Sequence, residues 1–279
     1  EYGNGFLVRA MPGSTFEMRG SELYHCGQEW WYGGIQILSD GFVLENNELR
    51  DTIIRLVGVS HGRVVSNTIA ESYQSFDFCA SDTLVEGNTI HHSARAPILG
   101  PGARNTIRGN AIAEVWENGI HLWRGEGNVI EGNTISGIPE GFSGVSTTGY
   151  GSAVVSNTVF DASRVVLIEY ADSEATFRVE GNTVSDCQVG LTIRASHGRL
   201  ASNSVSTCTT GMEVEGSGHE AVDNVVSSCG SGVTVGHGTE GNVIHDNRFV
   251  HNGIQARDFG IGNAWDHEGL GNYWSDYGG

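Results

Sequence analysis

The feature that most constrains this chain is a column of asparagines at a nearly regular interval. Asn47, Asn67, Asn88, Asn110, Asn133, Asn157, Asn182, Asn203, Asn224 and Asn247 follow one another at spacings of 20 to 25 residues. Three residues before them stand Leu44, Val64, Val85, Ile107, Ile130, Val154, Val179, Leu200, Ala221 and Ile244. Two residues after them stand Leu49, Ile69, Ile90, Ile112, Ile135, Val159, Val184, Val205, Val226 and Phe249. A third segment, Gly-apolar-x-apolar, completes most repeats, as in Gly119-Ile120-His121-Leu122 and Gly190-Leu191-Thr192-Ile193. The alternation has the period of a strand, and helical periodicity is absent.

One repeat of three short strands cannot bury its own apolar stripe, whereas stacked repeats make the stripes continuous. The expectation is an all-β, single-stranded, right-handed parallel β-helix, a solenoid of about eleven three-faced coils. It spans 1–279 as one domain, with 1–33 as N-terminal coil and cap and 260–279 as C-terminal cap. At ~4.8 Å per coil, the rod is on the order of 50 Å long. Asn suits the bends because it tolerates the left-handed region, and stacked amides can bond from coil to coil. Gly87, Gly109, Gly132, Gly181, Ser66, Ser156 and Ser202, each just before a column Asn, keep the turn small. Cys187, Cys208 and Cys229 lie five residues after their Asn and are expected to stack as buried thiols. A disulfide between neighbours and a soft-metal site stay open.

Charge narrows the partners. The chain carries 33 acidic residues against 15 basic ones, all of them Arg, for a net charge of −18. That balance opposes nucleic acid and anionic membrane as partners. An acidic, Lys-free surface suits a salt-loving source, and a codon bias towards Arg accounts for it equally well. With 41 glycines and four prolines, tight turns are cheap and backbone donors remain available for ladders. No apolar run approaches the ~18 residues of a membrane span. No signal-peptide pattern is read, and the chain reads as a mature or excised segment.

The repeats resemble the right-handed parallel β-helix superfamily of pectate lyases, polygalacturonases, alginate epimerases and their non-enzymatic relatives. Near the end, Gly262-Asn263-Ala264-Trp265 and Gly271-Asn272-Tyr273-Trp274-Ser275-Asp276-Tyr277 resemble the closing segment of NosD-like secreted β-helix proteins, frequent in archaea. The resemblance implies the fold but not one activity, since lyases, hydrolases, epimerases, adhesins and copper-maturation factors share it.

In such enzymes the substrate groove runs along the sheet built from the Gly-apolar-x-apolar strands. Aligned on the Asn column, the outward positions read Gln36, Val57, Asp77, Ile98, His121, Ser146, Leu167, Thr192, Glu213, Thr234 and Gln255. Cys79, Trp123, Glu169 and Arg194 stand one step further along. The candidate catalytic residues are His121, Asp77, Arg124 and Tyr170: a base, an acid and a charge stabiliser for a sugar reaction. Trp123 and Trp116 offer platforms for a pyranose ring. Arg194 offers a partner for a uronate carboxylate, and Glu169 and Asp82 complete the candidate substrate-binding set. The longest repeats surround these residues, and their extra residues are expected to form groove walls. The absence of Lys excludes lyases that use a Lys base, and the absence of consecutive Asp residues weakens a polygalacturonase reading.

The expected function is a secreted or cell-surface protein that binds or modifies polysaccharide through a uronate lyase- or epimerase-like groove. Two alternatives stand beside it. One is a non-catalytic surface, sheath or filament protein that self-assembles through the rod ends. The other is a NosD-like, copper-associated periplasmic or extracellular protein. Calcium on Asp-rich loops is open. Copper lacks a defined ligand spacing: His91 and His92 are adjacent and expected on opposite strand faces, while His237, His245 and His251 lie on late coils. Trp30-Trp31-Tyr32 and Tyr273, Trp274 and Tyr277 are expected to cover the rod ends.

Overall fold

A computed structural model describes residues 7–27, 34–169 and 176–276. Among them there is no helix, and every strand pairing is parallel except one hairpin near the C-terminus. Each coil lays one strand on each of three faces. The first face is an 11-stranded sheet running from Glu17–Arg19 to Val243–His245. The second carries strands such as Thr68–Ala70, Thr89–His91 and Ala111–Ala113. The third carries Phe76–Ser81, Ile98–Pro101 and Ile120–Trp123. In three successive coils, Thr134–Thr147, Thr158–Ile168 and Thr183–Ile193 round the corner from second to third face without a break. The fold is the expected right-handed parallel β-helix of about eleven coils.

Register runs rung over rung. On the first face Val64 sits beside Val85, then Ile107, then Ile130. On the second, Ile69 leads to Ile90, Ile112 and Ile135. All the apolar residues flanking the Asn column are buried, so the repeat is the core written out linearly.

The turn works differently from the sequence expectation. The column asparagines do not adopt the left-handed conformation; the residue before each one does. Asn46, Ser66, Gly87, Gly109, Gly132, Ser156, Gly181, Ser202, Asp223 and Asp246 have φ between 54° and 64°. One left-handed residue turns the corner and aims the following Asn inward, where polar atoms need partners. Asn67 is typical. Its Nδ2 donates to Asn88 Oδ1 at 2.9 Å and to the Leu44 carbonyl of the previous coil at 3.0 Å. Its backbone N–H also donates to Asn88 Oδ1, at 2.9 Å. The same bonding continues without interruption from Asn47 to Asn272.

A second column stands at the corner leading into the first face. Asn105 donates to Asn128, and Asn242 to Asn263. Between them His219 takes the Asn position and Phe177 fills the corner with a ring. Gly198, one coil beyond Phe177, leaves the space for that ring: a Cβ there would lie 1.9 Å from it.

The C-terminal motif is the repeat's last copy. Asn263 and Asn272 end the two columns, and the positions two residues later hold Trp265 and Trp274 in place of aliphatic side chains. Trp274 stacks on Phe249 with centroids 4.8 Å apart, and Trp265 tilts against Trp274 at 5.8 Å. The two indoles lie over the last core layer. Tyr277 and the Trp30–Tyr32 run fall outside the described residues.

Two local expectations change. Cys187 and Cys208 form a disulfide, with Cα atoms 4.6 Å apart, and only Cys229 of the three is a buried free thiol. The ladder spacing by itself brings neighbouring cysteines within disulfide reach. His91 and His92 do not diverge. His92 is left-handed, which breaks the strand alternation and brings the two Nδ1 atoms to 2.7 Å.

Candidate functional site

The outward side of the third face gathers the charged and aromatic residues that the core excludes. Register defines its central column as Arg9, Gln36, Arg55, Asp77, Leu99, His121, Ser146, Leu167, Thr192, Glu213, Thr234 and Arg257. Three positions differ from the alignment on asparagines. Arg55 replaces Val57, Leu99 replaces Ile98, and Arg257 replaces Gln255. Ile98 is an inward core residue. Val57 belongs to the next column, where it pairs with Cys79.

His121 and Trp123 share one strand two residues apart, so both project from the same side. Their rings meet edge to face, with centroids 5.2 Å apart. Asn118 Nδ2 lies 3.2 Å from His121 Nδ1, and Asn118 Oδ1 accepts from the Ser143 N–H of the next coil at 2.7 Å. The Asn is thereby anchored and holds the ring. Burial pushes the His121 pKa below the ordinary imidazole value, while the carboxylates of Glu169 and Glu117 pull it up. The neutral ring accepts the Asn118 amide at Nδ1 and carries its proton on Nε2, so proton uptake by His121 requires that amide to give way.

Charges extend from His121 in both directions. Towards the N-terminus, Asp77 is half-buried; burial raises its pKa, opposed by Arg55 and Arg95. Burial pushes Arg55 down, with Asp77 opposing. Arg95 bonds Glu117 through Nε at 3.1 Å. Asp77 and His121 are two rungs apart, about 10 Å. Towards the C-terminus, Arg194 bridges Glu215 at 2.8 Å and Glu169 at 3.5 Å. Glu213 is pushed up by burial and by Glu215, against Arg164 and Arg194.

The structure thus brings His121, Trp123, Asp77, Glu169 and Arg194 onto one face. It places three other candidates elsewhere. Arg124 is exposed in a left-handed corner position, its N–H donating to Thr148 Oγ1. Asp82 sits on the corner before the first face, clamped by Arg104 through two bonds of 2.7 and 2.8 Å. Trp116 is 71% exposed on the opposite edge of the third face. There it lines a hollow of about 390 Å3 with His92, Glu114, Pro139 and Asp161. Tyr170 lies outside the described residues. Among the long coils, residues 139–142 bulge at that same corner, where register shifts between Ile138 and Ser143. Sequence reasoning missed Arg55, Arg95, Glu117, Asn118 and Arg164. The polar pair Glu117-Asn118 immediately before the Gly119 strand was the available signal.

Among the described residues, no group of three or more His, Cys, Asp or Glu is arranged to hold a metal ion. Among the described residues, no helix is long and apolar enough to cross a membrane.

Three faces, an internal amide column and parallel rungs throughout define a right-handed β-helix protein, and the family model of the right-handed β-helix region matches residues 52–198. The chain belongs to the NosD family, whose model, described as periplasmic copper-binding protein, matches residues 138–279. No curated protein sequence matches it. Among solved structures, it is similar to the tailspike of E. coli bacteriophage HK620 in complex with a pentasaccharide. That match has a TM-score of 0.65 at 11% identity and covers 96% of this chain and 60% of the tailspike, less than two thirds. The A-module of an Azotobacter vinelandii mannuronan C-5 epimerase matches with TM-score 0.55 at 12% identity, over 96% of this chain and 90% of the module. A mannuronic acid-specific family 6 polysaccharide lyase from human gut microbiota matches with TM-score 0.53 at 12% identity, over 88% and 70%. These structural neighbours bind or modify polysaccharides, and at such identities they speak for the fold alone.

Proposed function

We propose that the third face binds a uronate-type polysaccharide along the rod axis and modifies it through proton transfer at His121, in a secreted or cell-surface setting. The carrying observation is the His121–Trp123 unit. A half-buried imidazole, held neutral by burial and oriented by Asn118, stands beside an indole that can stack on a pyranose ring. Charge is compatible with this face. Arg55, Arg95, Arg164 and Arg194 stand there with Asp77, Glu117, Glu169, Glu213 and Glu215, close to balance in a chain of net charge −18. A polyanion therefore meets little net repulsion over this face. Asp77, two rungs away, is positioned as a second proton-transfer group for an adjoining sugar.

The self-assembling rod is less well supported. Stacking a second copy in register end to end would set Arg9, which opens the central column, beside Arg257, which closes it. Copper and calcium find no ready donor set among the described residues, so no step is routed through a metal.

Calorimetry with mannuronan, polygalacturonate and neutral glycans tests the reading. Trp123→Ala should weaken uronate binding by about tenfold, the loss of one ring contact. His121→Ala should retain binding and lose turnover, read as new chain ends. No binding of any polymer by the parent, or unchanged binding by Trp123→Ala, would overturn the proposal.

A further inference from the structure

Cys187, Cys208 and Cys229 hold the same corner of three consecutive coils. Early coils fill this corner with Thr52, Ser72 and Ser93, and the coil after Cys229 fills it with Asn252. Backbone rungs tie the cysteines in register: Thr209 donates to the Cys187 carbonyl at 3.0 Å, Gly230 to Cys208 at 3.0 Å and Gly253 to Cys229 at 2.9 Å. Cys187 and Cys208 are joined, with Cα atoms 4.6 Å apart. The next rung repeats the spacing at about 4.8 Å, which also satisfies the reach of a disulfide. Cys208 therefore has two partners at equivalent backbone distance and can bond only one.

The two alternatives differ in the thiol they leave over. Cys229 is 3% exposed and packs into the core. Cys187 is half-buried and lines a hollow of about 270 Å3 with Glu140, Asp161, Asp186, Gln188 and Thr207. Moving the bond by one rung exchanges a sealed thiol for one open to solvent.

We propose that the three cysteines form a thiol–disulfide exchange site that presents Cys187 to small disulfides entering this hollow. The Cys229 thiol loses its proton and attacks Cys208 Sγ. The Cys208–Cys229 bond forms as Cys187–Cys208 breaks, and Cys187 leaves with the electron pair as thiolate. Cys187 then attacks one sulfur of a small disulfide, joins it, and releases the other half as a thiolate, which takes up the proton. Burial raises the Cys229 pKa, which keeps the first step slow and the resting pair in place. The hollow lies at the corner between second and third faces, away from His121, so the site stands independently of the polysaccharide reading.

Oxidised glutathione is the probe, followed by peptide mapping under non-reducing conditions. In the parent, glutathione on Cys187 and a Cys208–Cys229 bond should appear together. In Cys229→Ser, labelling of Cys187 should fall by at least about tenfold, because nothing displaces it. Ser stands at this corner in two other coils, so the variant keeps its packing. A second variant, Cys187→Ser, should join Cys208 to Cys229 on air oxidation. Equal labelling of parent and Cys229→Ser, zero included, or two free thiols persisting in Cys187→Ser, would overturn the proposal.

Discussion

Acid should loosen this rod at His219 in particular. The side chain is 2% exposed and occupies a corner where other coils place Asn105, Asn128 and Asn242. Its Nδ1 accepts from the Gly198 N–H at 3.0 Å, so the ring's single proton sits on Nε2, buried beside the Ala195 backbone. Phe177 tilts against the ring at 5.7 Å. Burial lowers the pKa from 6.5 to about 4, the neighbouring backbone groups of Ala195 and Gly198 oppose that shift, and His197 adds to it. The sign follows. Above pH 6.5 the imidazole is neutral in both folded and unfolded chains and contributes no pH dependence. Between 6.5 and about 4 the unfolded chain takes up a proton that the folded chain refuses, so stability falls. Below 4 both are protonated and the loss levels off. At about 1.4 kcal/mol per pH unit, the span from 6.5 to about 4 amounts to a loss of about 3 kcal/mol. His219→Asn places the repeat's own residue at the corner and removes the titration, while the carboxylates and other histidines stay the same. Urea unfolding at pH 7 and pH 4 should show the parent losing about 3 kcal/mol more than the variant. Parallel losses would refute the assignment of His219 as the acid-labile rung.

Two further outcomes follow from packing. Asn133→Ala removes the acceptor for the Asn110 N–H and Nδ2, and the donor to the Ile107 carbonyl and Asn157 Oδ1, all within 2.9 to 3.0 Å. Leaving these buried groups unpaired should cost on the order of 3 kcal/mol in denaturant unfolding. Gly198→Ala drives a methyl into the Phe177 ring and should cost about 1 to 3 kcal/mol, whereas the double change with Phe177→Leu should recover part of the loss.

The rod was legible because its cause is periodic. Each column Asn has an apolar residue three before and two after, and every such pair meets its counterpart one coil away. The handling of the turn was less legible, because Asn and the small residue before it both suit a bend. Only backbone geometry distinguishes Ser66, which is left-handed, from Asn67, which bonds. The face carrying His121 was read in part for a similar reason. Corners between second and third faces differ in length: Arg55 lies eight residues after Asn47, and Ser146 thirteen after Asn133. Counting forward from the Asn therefore drifts out of register, and Val57 was read where Arg55 stands. Contacts between coils, such as Arg95 with Glu117 or Arg194 with Glu215, join residues 21 or 22 apart and leave no local pattern.

The asparagine column also has a direction. In each rung one amide hydrogen points to the oxygen of the following rung and the other to a carbonyl of the previous coil, so the side chains form a polar chain of aligned dipoles inside an apolar rod. Such a chain would offer its last onward hydrogen to any further coil. Asn272 keeps the usual bond to the previous coil, to the Ile244 carbonyl at 2.7 Å, and turns its other hydrogen to the Trp265 carbonyl at 2.9 Å. The closing rung accepts like every other and donates nothing onward. At this rung the side-chain hydrogens are spent within the rod, and the two indoles cover the core beside it.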